Sequence, residues 1–179
     1  NTVEKNAWVG INLEEGSEFN NVLGNNATEN GDDGIGTWSS VSGGCPAFSI
    51  NNNNISDNTV SKNKHEGIHI YCANRNEVRN NEVIDNDLSG IAVMPWRACS
   101  CITEDNIIEE NNVTHNGYGP IPGSYYDGIL LIKTRRNNVT NNFVNDNKDV
   151  GIRLAEATQN KVEGNNVTKN GLSGVILET

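Results

Sequence analysis

The residues best suited to acid–base chemistry lie beside a recurring motif of the form Gly-Ile-x-Leu. Asp33, Glu66 and Asp127 each directly precede the glycine of one copy, and His69 and Tyr71 follow the glycine of the second of these copies. Two carboxylates that flank a glycosidic bond are what glycoside hydrolysis requires. A histidine and a tyrosine could instead serve as base and acid for proton abstraction, as in a polysaccharide lyase.

Aromatic and basic residues that would suit a sugar polymer occur in the same part of the chain. Aromatic faces bind sugar rings, and a cation neutralises the carboxylate of a uronate. The candidate substrate-binding residues are Trp38, Trp96, Tyr125 and Tyr126 for sugar rings, and Arg97, Lys133 and Arg153 for carboxylates. These residue types predict a carbohydrate site if the fold brings them to one surface.

The elements that must position these residues repeat along the chain. Copies of the motif start at Gly128, Gly151 and Gly174, and each step is 23 residues. Earlier copies can be traced back to Gly10, with three interruptions. A fixed period of this length is the signature of a solenoid. We therefore predict that residues 1–179 form a single domain, and we expect it to be part of a longer chain.

The side chains within each repeat predict its architecture. In Gly-Ile-x-Leu the second and fourth residues point to the same side of a strand, and their columns are aliphatic nearly throughout. Each repeat also carries regularly spaced asparagines, which tolerate the left-handed backbone of bends and can form amide ladders. A left-handed β-helix would show a six-residue period, which is absent. We predict an all-β fold, a single-stranded right-handed parallel β-helix of about seven rungs of about 23 residues.

Three loop insertions interrupt the repeat, and each borders the Gly-Ile-x-Leu strand. They lie within residues 34–55, 90–108 and 113–128 and add 10, 7 and 8 residues. Loops should therefore rise on both sides of one face, and long loops on a rigid scaffold are where function tends to lie. The alternative is that these loops only cover apolar side chains such as Met94 and Leu130.

Rung stacking gives the carboxylates approximate separations. Strands about 4.8 Å apart place Asp33 and Glu66 about 4.8 Å apart, and Glu66 and Asp127 about 9.6 Å apart. The first value approaches that of retaining glycosidases, and the second lies at the upper end of the inverting range. We predict Glu66 as the acid and Asp127 as the base for water, with a raised pKa for at least one of them. The alternative is that these acidic residues only form turns.

Composition narrows the partners and the compartment. A net charge of −10 argues against a nucleic-acid partner, and no apolar run is long enough to span a membrane. The four cysteines (Cys45, Cys72, Cys99 and Cys101) lack Cys-x-x-Cys spacing, so we expect disulfides of an exported protein, with three pairings open. We expect no cofactor and no metal site, and a bound calcium ion is not indicated.

The repeat Asn-x-Val-x-x-Asn-x-Val-x-x-Asn-x-x-x-Gly-Ile-x-Leu resembles that of the carbohydrate-binding and sugar-hydrolase group of right-handed parallel β-helix proteins. That group includes copper-maturation proteins of the NosD type, alginate epimerases and archaeal disaggregatases. The resemblance covers essentially the whole chain and implies the fold. The chain departs from the epimerases in lacking an Asp-Pro-His-Asp signature, and from copper carriers in having one Met and three His.

The leading hypothesis is an extracellular or cell-surface domain that binds or cleaves polysaccharide, as a glycoside hydrolase of the disaggregatase kind. The alternatives are a non-catalytic structural β-helix of a cell-surface protein, and a lyase or epimerase acting on a uronate polysaccharide. We expect the open solenoid ends to be covered by adjoining domains or by another subunit. The predicted facing makes Ile152→Asp severe and Arg153→Asp mild.

Overall fold

The computed structural model describes residues 1–38, 50–95 and 101–179. Within these ranges the regular structure is entirely β, and every strand pairing is parallel. The strands are β1 Thr2–Glu4, β2 Ile11–Leu13, β3 Asn21–Leu23, β4 Asn26–Thr28, β5 Ile35–Thr37, β6 Asn54–Ser56, β7 Thr59–Ser61, β8 Ile68–Tyr71, β9 Glu77–Arg79, β10 Glu82–Ile84, β11 Ile91–Met94, β12 Thr103–Glu104, β13 Ile107–Glu109, β14 Asn112–Thr114, β15 Ile129–Ile132, β16 Thr134–Arg135, β17 Asn138–Thr140, β18 Phe143–Asn145, β19 Val150–Ala155, β20 Lys161–Glu163, β21 Asn166–Thr168 and β22 Ser173–Glu178.

Three long sheets run the length of the molecule. One has the order β2-β5-β8-β11-β15-β19-β22 and is called here the motif sheet, because it contains the Gly-Ile-x-Leu segments. The other two have the orders β1-β4-β7-β10-β14-β18-β21 and β3-β6-β9-β13-β17-β20, and β12 pairs with β16 beside them. The chain visits the three sheets in turn and then starts the next rung. The prediction of a right-handed parallel β-helix of about seven rungs is therefore confirmed.

The core lies between the three sheets and is built from columns of aliphatic residues. In the motif sheet, Ile129 pairs with Ile152, and Ile152 pairs with Val175. In the other two sheets, the Asn-x-Val segments supply Val139 and Val144, which are fully buried. Because side chains alternate along a strand, one aliphatic residue every second position is enough to fill this narrow interior.

Asparagine side chains join the rungs at the corners. In one column, Asn53, Asn76, Asn106 and Asn137 are linked by side-chain hydrogen bonds of 3.0–3.2 Å. The expected ladder is present, but the left-handed residues occur one position earlier than the ladder asparagines, as at His115 with φ of 57°. The amide must face inward to reach the next rung, so the turn itself is made by the preceding residue.

The outward column of the motif sheet is covered in its middle rungs. Ala92 and Leu130 are fully buried although neither belongs to the core cluster between the sheets. Met94 and Ile132, two positions further along their strands, are only half-buried. The outward column of the motif sheet is therefore not uniformly open to solvent. No helix in the described part of the chain is long and apolar enough to cross a membrane.

Candidate functional site

A cluster of two carboxylates and two imidazoles lies at the N-terminal ends of β5 and β8 in the motif sheet. Asp33 and Glu66 precede β5 and β8 by two residues, and His69 lies within β8. His65 is on the bend that leads into the same strand. Gly36 of β5 pairs with His69 of β8, which places the imidazole one rung from Asp33. The four side chains of this His–carboxylate cluster thus come from two successive rungs.

The donor atoms of the His–carboxylate cluster converge. The two oxygens of Asp33 contact different rings, Oδ2 at 3.1 Å from His69 Nδ1 and Oδ1 at 3.2 Å from His65 Nδ1. Glu66 Oε2 is 3.7 Å from His69 Nδ1 and touches His65 Nδ1. One donor atom from each of the four residues lies within 4.8 Å of all the others.

The cluster is largely withdrawn from solvent. The side chains of Asp33, Glu66 and His69 are 9%, 7% and 4% exposed, whereas that of His65 is 41% exposed. Glu66 Oε2 and His69 Nε2 are buried with no hydrogen-bond partner among the described residues. Glu66 Oε2 therefore contacts His65 without the geometry of a hydrogen bond. Unpaired buried polar atoms are uncommon in proteins and often mark a functional group.

Mutual electrostatics shift the ionisation of the cluster. Burial opposes ionisation of Asp33, but the charges of His69 and His65 and their hydrogen bonds hold the pKa of its carboxyl well below the usual range. Burial also opposes protonation of His65, yet Asp33 and Glu66 raise the pKa of its ring to about 11. The same two carboxylates raise the pKa of His69 against the effect of burial. Burial and the negative charge of Asp33 raise the pKa of neighbouring Asp32.

Tyr71 packs on this cluster from the end of β8. Its ring lies 4.0 Å from the ring of His69, centroid to centroid, and is tilted by 52°. The backbone N–H of Tyr71 donates to Thr37 Oγ1 at 2.7 Å, which anchors the strand end to the previous rung. Tyr71 is half-buried, in contrast to the buried side chain of His69.

Asp127 occupies a different environment from the cluster. Its side chain is fully buried, and its Oδ2 accepts a hydrogen bond of 2.7 Å from Arg153 Nε. Its Oδ1 accepts from the backbone N–H of Val150 at 3.0 Å. Burial raises the pKa of Asp127, although the bonds from Arg153 and Val150 favour the carboxylate. The raised pKa is therefore at the residue predicted from the sequence as the base.

The remaining predicted substrate residues are dispersed. Tyr125 has the Arg153 guanidinium 5.6 Å from its ring centre, and Lys148 lies over the ring of Tyr126. Lys133 is exposed and pairs with Glu156. Trp38 continues the second rung, where its backbone N–H donates to the carbonyl of Leu13 and to the side chain of Asn12. Trp96 and Arg97 lie outside the described residues, as do Cys45 and Cys99.

Two of the four cysteines form a disulfide next to the cluster. Cys72 directly follows Tyr71 and is bonded to Cys101, 29 residues later. The expectation of disulfide bonding is confirmed for this pair. The bond ties the chain that returns from the second insertion to the end of β8.

The sequence contains a signal that could have placed His65 in the cluster. Residues 65–69 read His-Glu-Gly-Ile-His, which has the spacing of the His-Glu-x-x-His metal motif. That motif is normally interpreted on a helix, where the two histidines share one face. Here a bend before β8 brings both Nδ1 atoms to Asp33, so a β-structure achieves the same convergence. The expectation that the chain lacks a cluster of metal-binding residues therefore did not anticipate this arrangement.

The chain matches the family model described as "Periplasmic copper-binding protein (NosD)" over residues 1–116 and 47–179. Among solved structures, it is similar to the periplasmic alginate epimerase AlgG, with a TM-score of 0.73 and 25% identity over 96% of this chain. It is also similar to the Azotobacter vinelandii mannuronan C-5 epimerase AlgE4 A-module, with a TM-score of 0.72 and 17% identity over 98% of this chain. The pectate lyase Pel9A gives a TM-score of 0.63 and 12% identity over 93% of this chain.

The chain spans only part of these larger proteins. It covers 36% of the AlgG chain, 50% of the AlgE4 A-module and 43% of Pel9A. No curated protein matches the chain.

Proposed function

Because the chain belongs to the NosD family of parallel β-helix proteins, we propose that it is a secreted or periplasmic β-helix that acts on a uronate polysaccharide. The similar structures are named as alginate and mannuronan epimerases and as a pectate lyase, all acting on polymers of this class. The Cys72–Cys101 disulfide supports an oxidising compartment outside the cytoplasm.

Abstraction of the proton next to the uronate carboxylate is the reaction class that we favour over hydrolysis. A hydrolase of the predicted kind needs Glu66 and Asp127 to face one open groove, with room for water beside the base. Asp127 is fully buried and engaged by Arg153, so its carboxylate has no open side for a water molecule. Hydrolysis by this pair therefore needs a rearrangement that proton abstraction at the cluster does not.

The observation that carries the proposal is the packing of half-buried Tyr71 on the His–carboxylate cluster. In this assignment the deprotonated oxygen of Tyr71 accepts the proton next to the uronate carboxylate. The resulting phenol then gives a proton either to the departing glycosidic oxygen, as a double bond forms, or back to the same carbon. His69 is too deeply buried to touch a polymer, so we assign it and Asp33 as positioning residues that fix the tyrosine ring. Trp38 follows the C-terminal end of β5, and Tyr125 precedes the N-terminal end of β15. These two residues are the proposed contacts for sugar rings.

The test is turnover of uronate polymers by the full chain. Alginate and polygalacturonate should give either unsaturated products, detected by ultraviolet absorbance, or incorporation of solvent deuterium, detected by NMR. Tyr71→Phe should lower the rate at least about 100-fold, the usual contribution of a general acid–base group. Tyr118→Phe is the matched control, since Tyr118 is exposed and stacks on His115, away from the cluster. Equal rates for Tyr71→Phe and the wild type would overturn the assignment.

The competing hydrolase hypothesis makes a distinct prediction. If Glu66 and Asp127 form the acid–base pair, Glu66→Gln and Asp127→Asn should each abolish the release of new reducing ends from a polysaccharide. Release of reducing ends without unsaturated products would favour hydrolysis over proton abstraction. Unsaturated products would favour the lyase.

A second candidate function is a non-catalytic structural β-helix. The complete burial of Ala92 and Leu130 favours it, because a polymer cannot reach the sheet at these two positions. This candidate predicts neither turnover nor binding of alginate, polygalacturonate or neutral glycans. Measurable turnover of any of these polymers would exclude it.

The family description names copper, and the donor atoms of the cluster indicate which copper ion they could bind. Imidazole nitrogens and carboxylate oxygens suit a divalent ion, and Glu66 Oε2 and His69 Nε2 are buried without hydrogen-bond partners in the described part of the chain. Cu(I) prefers thiolate and thioether ligands, which the cluster does not contain. The residues therefore fit Cu²⁺ rather than Cu⁺. A bound ion would supply positive charge next to Tyr71.

A further inference from the structure

We propose that Asp33, His65, Glu66 and His69 form a binding site for one divalent transition-metal ion, such as Zn²⁺ or Cu²⁺. The proposal concerns which residues bind and which class of ion they select. It is independent of whether the chain acts on a polysaccharide.

Convergence of the donor atoms is the first observation. Four potential ligands from two rungs approach within 4.8 Å of one another, although three of them lie within five residues of the sequence. In an extended strand, residues four apart are separated by about 13 Å. The bend at His65 and Glu66 removes that separation and directs both Nδ1 atoms towards Asp33. A shared metal ion lies about 2.0–2.3 Å from each ligand, so its ligand atoms are at most about 4.6 Å apart, close to the 4.8 Å limit found here.

Charge balance is the second observation. Asp33 and Glu66 place two carboxylates in an interior that is less than a tenth exposed. Burying charge is costly unless it is paired. The imidazoles of His65 and His69 already contact these carboxylates, and a dication bound by two neutral imidazoles and two carboxylates would keep the site neutral. Glu66 Oε2, which is buried without a hydrogen-bond partner among the described residues, would coordinate the ion.

The kinds of donor atom define the class of ion. Two nitrogen and two oxygen ligands suit Zn²⁺, which is usually four-coordinate, and Cu²⁺. Ca²⁺ requires six to eight oxygen ligands, and Mg²⁺ keeps much of its water, so neither fits a buried site with two imidazoles. The cluster therefore selects transition-metal dications over the calcium ion considered from the sequence.

Another His–Asp contact in the chain provides a matched control. His115 Nδ1 lies 2.6 Å from Asp85 Oδ1, one rung away, so it is also a contact between an imidazole and a carboxylate of neighbouring rungs. Both partners are exposed, and this pair belongs to no group of three or more potential ligands in the described chain. His115→Gln removes a histidine of similar local contact while leaving the proposed site intact.

The experiment is a titration of the untagged full chain, first treated with a chelator. Isothermal titration with Zn²⁺ should give one ion per chain. Asp33→Asn and His69→Gln should each weaken binding at least about tenfold, because loss of a residue that only supports a ligand already costs about 10–100-fold. His115→Gln should bind like the wild type. Circular dichroism confirms that each variant is folded, and a variant that unfolds is replaced by Glu66→Gln.

Electron paramagnetic resonance of the Cu²⁺ complex gives a second readout. Coupling to nitrogen nuclei should be present in the wild type and reduced in His69→Gln, with no change in His115→Gln. Three results would overturn the proposal: no stoichiometric Zn²⁺ binding, equal affinity in His69→Gln, or loss of binding in His115→Gln.

Discussion

Arg153 Nε donates a hydrogen bond of 2.7 Å to Asp127 Oδ2 across two neighbouring rungs. The Asp127 side chain is fully buried and that of Arg153 is 13% exposed, so the pair is largely excluded from water. Arg153 also bonds Glu178 on the following rung at 2.6 Å. Arg153, which the repeat places on the outer side of its strand, therefore pairs with a buried carboxylate.

This ion pair corrects the expectation that Arg153→Asp is mild. The substitution would leave the buried Asp127 carboxylate facing a second negative charge. Removal of one partner of a buried pair costs about 3–5 kcal/mol, so Arg153→Met should lower the free energy of unfolding by about that amount and Arg153→Asp by more. Urea denaturation followed by circular dichroism measures both values.

A double substitution is the control for the ion pair. Asp127→Leu combined with Arg153→Met should recover most of the lost stability, because no unpaired charge remains. If the double variant is no more stable than Arg153→Met, the pair is not the reason for the loss.

Ile152 tests the assignment of the core. It is fully buried in β19, between Ile129 and Val175. Ile152→Asp buries a carboxylate without a partner and should cost more than about 4 kcal/mol or prevent folding. Leu172→Asp is the control, since Leu172 is 69% exposed and should change the melting temperature little. Similar melting temperatures for the two variants would show that the inward facing is wrong.

An asparagine of the ladder should contribute more to the free energy of unfolding than a surface asparagine does. Asn86 donates to Val60 O at 3.1 Å and Asn116 Oδ1 at 2.9 Å, and it accepts two bonds from Asn63. Asn86→Ala leaves several buried groups unpaired, at about 1–3 kcal/mol for each.

Asn138 provides the comparison for the ladder. It is exposed at the start of β17, so Asn138→Ala should change the free energy of unfolding by less than about 0.5 kcal/mol. Equal stabilities of the two variants in urea denaturation would argue against a structural role for the ladder.

The glycine of the motif is required where another rung packs against it. A Cβ on Gly128 would lie 2.4 Å from Val144 Cγ1 and 2.7 Å from the carbonyl oxygen of Gly151. Overpacking of this kind typically costs about 1–3 kcal/mol, and a clash with backbone places Gly128→Ala at the upper end. In Gly174 the nearest atom would be 3.8 Å away, so Gly174→Ala should be nearly neutral. Thermal unfolding of the two alanine variants gives the comparison, and a larger loss at Gly174 would contradict it.

The sequence by itself determined the fold, because the same short pattern of residues recurs in every rung. Ile129, Ile152 and Val175 lie 23 residues apart, and the strand period sends all three inward. The same argument predicted the asparagine ladders, since residues in register on stacked rungs must be neighbours. It did not predict that the left-handed turn falls one residue before each ladder asparagine, because that depends on where the amide must point.

The candidate site was decided by tertiary structure. The sequence identified Asp33, Glu66 and His69 as candidates, but rung stacking alone treats every outward residue as solvated. Burial of Asp127 beneath its neighbours, its pairing with Arg153, and the turn of His65 towards Asp33 all depend on the bends and insertions that leave the repeat. Periodicity fixes the register of a column, whereas the solvent exposure and partner of each side chain depend on the irregular segments packed over it.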